Sequence, residues 1–310
     1  VPIRPALSSW TPERLVAFAL GALWLSLPAT TGAALGDALD ATSTAVQAVA
    51  AVLAWSGWTA GVLALLAPRT VTLTVARFVI PAAVPAAAFA LLGAEDSTVL
   101  SVAGLTTAAL AATLSLMPET GSRFVNGSAY GHERRFPLRA PAAVILGPLE
   151  ILWAAVVAGV AAGPLLLAAE QWIAGALATA VGAVVVWFGA RSAHGLTRRW
   201  IVLVPAGLVV HDPMALADTL LVQKRDLARL TVAEASSTAE DLTLGALGLA
   251  LEIDLRSPAD ILPMAARRAG RRDPAATPAS MSQEVARVLV TPTRPGHLLR
   301  AAAAQGLPVG

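Results

Sequence analysis

Between Arg123 and Arg139 the stretch RFVNGSAYGHERRFPLR gathers four arginines, the only tyrosine, a histidine and a glutamate within a chain otherwise dominated by Ala, Val, Leu and Gly. Guanidinium groups direct paired N–H donors at carboxylate or phosphate oxygens. Arg123, Arg134, Arg135 and Arg139, with Tyr130, His132 and Glu133 among them, therefore have the chemistry to hold an anionic group, either a lipid phosphate or an acidic strip of the C-terminal region. The plainer reading of the same arginines is topogenic: near anionic lipid each contributes about 1 kcal/mol toward keeping the segment at the cytoplasmic surface. Adjacent His132 and Glu133 in a loop carry no acid–base geometry, so the pair assigns no catalysis.

The elements that must position these residues follow from composition. Apolar residues make up 56% of the chain and charged residues 14%, and the charges fall between apolar blocks, the pattern of a polytopic membrane protein. A span needs roughly 20 mainly apolar residues. Six runs qualify, near 14–35, 44–67, 70–92, 97–117, 142–168 and 172–192. Pro28, Pro81, Pro85, Pro148 and Pro164 fall within them and predict kinked helices. The first run is longer than a signal-peptide core and reads as a retained helix.

Basic residues set the expected orientation. Arg4 and Arg14, Arg69, the Arg123–Arg139 cluster, and Arg191, Arg198 and Arg199 alternate with connections holding Asp37 and Asp40, Glu95 and Asp96, and Glu170. By the positive-inside rule both termini face the cytoplasm of a plasma (inner) membrane protein. Arg77 and Glu150 fall inside expected spans at similar depth from the cytoplasmic side. Ionisable residues there pair, line a wet cavity or snorkel, so a pair across the bundle stands against a snorkelling Arg77 and a cavity-facing Glu150. Gly57 with Gly61 and Gly159 with Gly163 have the spacing of close helix packing.

After Arg191 the apolar runs shorten. RWIVLV and GLVVHD around Pro205, Ala206 and Gly207 read as a hairpin, and TLLVQ, LARLTVA, LGLALEIDL and VARVLVTP as further strands. SPADILPMAARRAGRRDPAATPASMS reads as a mobile insertion, and RPGHLLRAAAAQG as a closing helix ended at Gly306. With no cysteine, thiolate chemistry and disulfides are excluded. P-loop, HExxH and GxSxG patterns are missing too, so no cofactor, metal or catalytic residue is assigned. The basic run Arg267, Arg268, Arg271 and Arg272 lacks interleaved aromatics, which argues against nucleic acid.

The strands from Arg199 to Thr291 followed by one C-terminal helix resemble bacterial pleckstrin-homology-like (PH-like) domains that follow membrane helices. The whole layout, with GSAYGHERRFPLR and PAGLVVHDP, resembles uncharacterised polytopic membrane proteins of actinobacteria. The expectation is an α-helical membrane bundle of six transmembrane helices over 1–192, followed by a small cytoplasmic β-rich PH-like domain with a C-terminal helix over 193–310. Its expected role is a non-enzymatic scaffold or regulatory subunit contacting membrane lipids and a protein partner at the cytoplasmic face. The competing expectation is a small-solute or lipid transporter with Glu150 and Arg77 in its pathway.

Overall fold

The computed structural model describes residues 11–93, 99–270 and 281–310. Arg4, Glu95, Asp96, Arg271 and Arg272, named above, lie outside the described residues. The chain divides into two compact units, one of Val1–Gly127 with Ile151–Ser192 and one of Ser128–Glu150 with Ala193–Gly310. The second unit therefore takes in 128–150, a segment that the expected division at 192 assigns to the helices.

In chain order the helices are α1 (Pro12–Leu39), α2 (Thr44–Leu66), α3 (Thr70–Gly93), α4 (Val99–Leu116), α5 (Pro118–Asn126), α6 (Ala142–Ile145), α7 (Pro148–Ala168) and α8 (Trp172–Thr197), followed near the C-terminus by α9 (Met264–Gly270) and α10 (Pro295–Ala304). Six of them, α1 to α4, α7 and α8, are long and apolar enough to cross a membrane, which marks a multi-pass membrane protein. They are apolar all round, with Phe18, Trp55, Leu92 and Trp187 exposed on outer faces. Such faces would be uncovered in water and meet acyl chains in a bilayer.

Within the first unit, α1 and α2 are joined reciprocally. The Trp24 indole N–H donates to the Trp58 carbonyl at 3.0 Å, and the Trp58 indole N–H donates to the Trp24 carbonyl at 3.0 Å. Gly61 leaves the room that the Trp24 ring fills. Helix α7 reaches α3 through Trp153 Nε1, which donates to the Phe78 carbonyl at 3.1 Å. Gly159 lies against Gly182, and Gly163 against Thr179, so this small-residue spacing serves α7–α8 packing. The proline-bearing spans stay continuous through Pro28, Pro81, Pro85 and Pro164. Pro148 instead opens α7, in the first turn, where a missing N–H costs no helical bond.

The fifth span thus begins later than the sequence suggests. Gly147, at φ +131, breaks the chain between α6 and α7 with a backbone conformation that side-chain-bearing residues rarely adopt. Helix α5 is short and two-faced: Phe124 and Val125 are buried, Glu119 lies in its first turn and Arg123 in its last, each complementing the helix dipole.

The second unit is built on two sheets. The first has the order β1-β2-β3-β4, from β1 (Arg134–Pro137), β2 (Trp200–Val204), β3 (Gly207–His211) and β4 (Leu220–Gln223), all antiparallel. The second has the order β5-β7-β8-β6, from β5 (Leu227–Val232), β6 (Glu240–Asp241), β7 (Leu251–Ile261) and β8 (Gln283–Val290). Alternate residues of both sheets, among them Phe136, Ile201, Leu208, Ile253 and Val288, form one core with Leu298 and Ala302 of α10. The expected hairpin, the other strands and the closing helix are present, except that LGLALEIDL is strand only from Leu251 on, residues 247–250 belonging to the loop before β7. The expected insertion begins differently: residues 257–261 continue β7 past a register shift between Asp254 and Ala259, α9 follows, and residues 271–280 of the insertion lie outside the described residues.

Candidate anion-binding surface around the first strand

RRFP becomes a strand on a short alternation: Phe136 and, two residues on, Leu138 turn into the core and Arg135 to the opposite face, while Arg134, in the inward phase at the start of the strand, stays exposed. The pairing with β2 sets Arg135 opposite Val202 and Pro137 opposite Trp200. The Leu138 N–H donates to the Arg199 carbonyl at 3.0 Å, so residues 138 and 199 form a hydrogen-bonded position and 137 and 200 do not. Pro137 therefore sits where its lack of an N–H removes no ladder bond. On the other side the Thr293 N–H donates to the Pro137 carbonyl and the Arg139 N–H to the Thr291 carbonyl, both at 2.8 Å. β1 and its extension thus bridge the first sheet to the end of β8.

A buried ion pair fixes this junction. Arg199 and Asp212 are both essentially inaccessible, with Arg199 Nε 2.9 Å from each Asp212 oxygen and Nη2 2.7 Å from Oδ2. Arg199 Nη1 donates to the Arg139 carbonyl at 2.8 Å, and Asp212 Oδ1 accepts the Met214 and Ala215 N–H groups. Buried charges are tolerated when their remaining hydrogen-bonding capacity is met in this way.

The arginine-rich segment is distributed rather than gathered into one pocket. Arg134 Nη2 lies 3.2 Å from His297 Nε2, and its guanidinium sits 5.8 Å from the centre of the Phe136 ring. Arg135 points to the other face of the strand, where it donates to Glu133 at 3.0 Å and Ser128 at 3.1 Å and lies over Trp200, 5.5 Å from the ring centre. Trp200 in turn stacks on His211 with centroids 4.9 Å apart. Glu133 is held below the usual carboxyl range, first by the Tyr130 N–H and then by Arg135. Burial, then the Arg198 charge, pushes the His211 imidazole below its ordinary value, against the pull of Asp212.

Arg139 turns inward, its Nη2 3.4 Å from the Thr293 carbonyl. Tyr130 and His132 are exposed. Arg123 belongs to α5 in the first unit. Glu150 lies in the first turn of α7, shallower than expected, and its Oε2 accepts the Gly147 N–H at 3.0 Å, capping the helix start. In α3, Arg77 Nε is buried without a hydrogen-bond partner, and a Cβ added at Gly121 would stand 3.2 Å from Arg77 Nη2.

Within the second unit an open groove is lined by His132, Glu133, Arg134, Pro205, Lys224 and the last turn of α10. Lys224 Nζ donates to the Gln305 carbonyl at 2.7 Å. No carboxylate pairs with Lys224 or Arg134 among the described residues, while Glu133 is engaged by Arg135. The groove is thus electropositive, and sequence reasoning missed Lys224 because nothing local marks it.

A second charged cluster lies on β7. Glu252 accepts from Ser237 at 2.5 Å and Arg287 at 3.3 Å, and Asp254 stands 3.9 Å from Arg229. Burial and neighbouring Glu252 push the Asp254 carboxyl up. Two arginines balance two carboxylates here, leaving little net charge to draw a ligand. No group of three His, Asp or Glu able to hold a metal occurs among the described residues. No family model, no curated protein and no solved structure matches the chain.

Proposed function

We propose that the protein is a non-enzymatic membrane scaffold or regulatory subunit. In this reading its second unit is a PH-like domain at the cytoplasmic surface, docking an anionic group of a partner protein or lipid in the groove beside β1. The observation that carries it is the charge of Arg134 and Lys224: their hydrogen bonds go to the His297 ring and to the Gln305 carbonyl, and among the described residues no carboxylate pairs with either, which leaves both charges to an incoming anion. A four-stranded antiparallel sheet, a second sheet and a helix closing one core support the PH-like reading. Cytoplasmic placement rests on the alternation of Arg69, Arg123 and Arg191 with Asp37, Asp40 and Glu170 along the chain.

The transporter reading draws less support, since Glu150 caps a helix start instead of standing deep in a span. A photoactivatable residue at Ala304, which lines the groove, tests the docking. In native membranes it is expected to form an adduct with one partner protein or one class of anionic lipid, lost when Arg134 and Lys224 are both changed to Ala. Adducts that survive the double substitution unchanged would contradict it.

A further inference from the structure

Apart from the groove, the second unit carries an uncharged loop whose exposed side chains are leucines, TLGALGLA at residues 243–250. Its base is well anchored. Leu242 is buried and its N–H donates to the Leu289 carbonyl at 3.1 Å, Asp241 Oδ1 accepts the Thr243 N–H at 2.7 Å, and Thr243 Oγ1 accepts the Gly245 N–H at 3.2 Å. Its tip is the opposite: Leu244, Leu247 and Leu249 are 37%, 56% and 50% exposed. Leu244 at φ +55, Gly245 at +70 and Gly248 at +115 hold the chain in left-handed turns that turn these leucines outward. Held rigidly at its base, this loop does not tuck its leucines into the core beneath it.

What lies beside the loop indicates what covers it. The Gly245 carbonyl accepts the Ala142 N–H at 3.4 Å, and Gly248 lies against the Arg139 guanidinium. Ala142 opens α6, whose far end carries Ile145 and the 73% exposed Leu146, and the chain passes directly from there into α7, a candidate membrane span. The loop therefore meets the chain at the first residue of α6, four residues before the exposed Leu146 and six before the candidate span α7 begins. An exposed apolar tip on a loop fixed next to chain that leads into a span suits a headgroup–acyl boundary.

We propose that the 243–250 loop is a membrane-interface anchor, with Leu244, Leu247 and Leu249 immersed at the acyl boundary. This goes beyond anion docking in the groove and does not depend on it. The chain contains no cysteine, so single-cysteine variants need no background removal. Leu247→Cys, Leu249→Cys and the exposed control Ser236→Cys, each spin-labelled in the full chain, are reconstituted in phosphatidylcholine–phosphatidylglycerol vesicles. Accessibility to oxygen and to a water-soluble nickel chelate is then compared.

The expected result is a several-fold higher oxygen-to-nickel ratio at 247 and 249 than at 236. Equal ratios at all three sites would overturn the proposal by placing the loop in water. Shielding of 247 and 249 from both reagents would also overturn it, because protein and not lipid would then cover the leucines. The substituted positions are already exposed, and agreement between the two loop sites guards against a local artefact at either one.

Discussion

Arg199 and Asp212 face each other at the ends of β2 and β3 as a buried ion pair, with Nη2 and Oδ2 2.7 Å apart, and the same guanidinium holds the Arg139 carbonyl. Removing one partner leaves an uncompensated buried charge, which costs about 3–5 kcal/mol. Asp212→Ala is therefore expected to destabilise the second unit by that order in thermal or denaturant unfolding. Arg199→Met combined with Asp212→Leu is expected to cost less than Asp212→Ala alone. A single substitution with unchanged stability would remove the pair from the account.

The placement of β1 has its own test in the missing cysteines. Arg135 and Val202 are opposite one another in a non-hydrogen-bonded pair, where antiparallel backbones approach most closely. Arg135→Cys with Val202→Cys is expected to form an intramolecular disulfide on mild oxidation, seen as a mobility shift reversed by reductant. Arg135→Cys with Val209→Cys, one strand further away, is expected to form little.

Asp254 gives a pH-dependent prediction. Its folded-state pKa is raised by burial and by Glu252, so the folded state holds that proton more tightly than the unfolded chain. The sign follows: Asp254 favours folding while protonated, and that contribution is lost as pH rises from the unfolded value near 3.8 through the folded one. At neutral pH, Asp254→Asn should raise the melting temperature on the order of 1–2 °C, a modest gain because the group is partly solvated. The advantage should shrink as pH falls toward the unfolded value.

In the helical unit the reciprocal indole–carbonyl bonds between Trp24 and Trp58 make a symmetric prediction. Trp24→Phe and Trp58→Phe each delete one donor, and hydrogen bonds between membrane helices average about 0.6 kcal/mol. Each is expected to lower stability in detergent by roughly that amount plus the lost ring packing. Trp24→Phe should cost more, because Gly61 opens space that only the larger ring fills.

Much of the architecture was legible from period and length: six apolar runs became six long helices, and the hairpin at Pro205 and the closing helix lie where turn residues and apolar spacing put them. β1 was not, because four residues with a proline among them carry too short an alternation to distinguish from a loop. The late start of α7 was hidden for a similar reason: the apolar composition runs on through 142–147, and only the backbone at Gly147 breaks it. The Arg199–Asp212 pair was within reach. Ile201 pairs with Val210, so two residues further along the same inward phase Arg199 meets Asp212; reading Arg199 as a topogenic charge obscured it. The candidate site itself needed tertiary structure, since Lys224 and His297 reach Arg134's neighbourhood from distant parts of the chain.

Native mass spectrometry of the protein released together with its surrounding membrane tests the docking claim most directly, comparing the wild type with Arg134→Ala/Lys224→Ala. The account predicts a stoichiometric partner protein or anionic lipid on the wild type that the variant lacks, with both chains equally stable. The same bound masses on both chains, or a small solute retained by both, would contradict it and turn attention to transport.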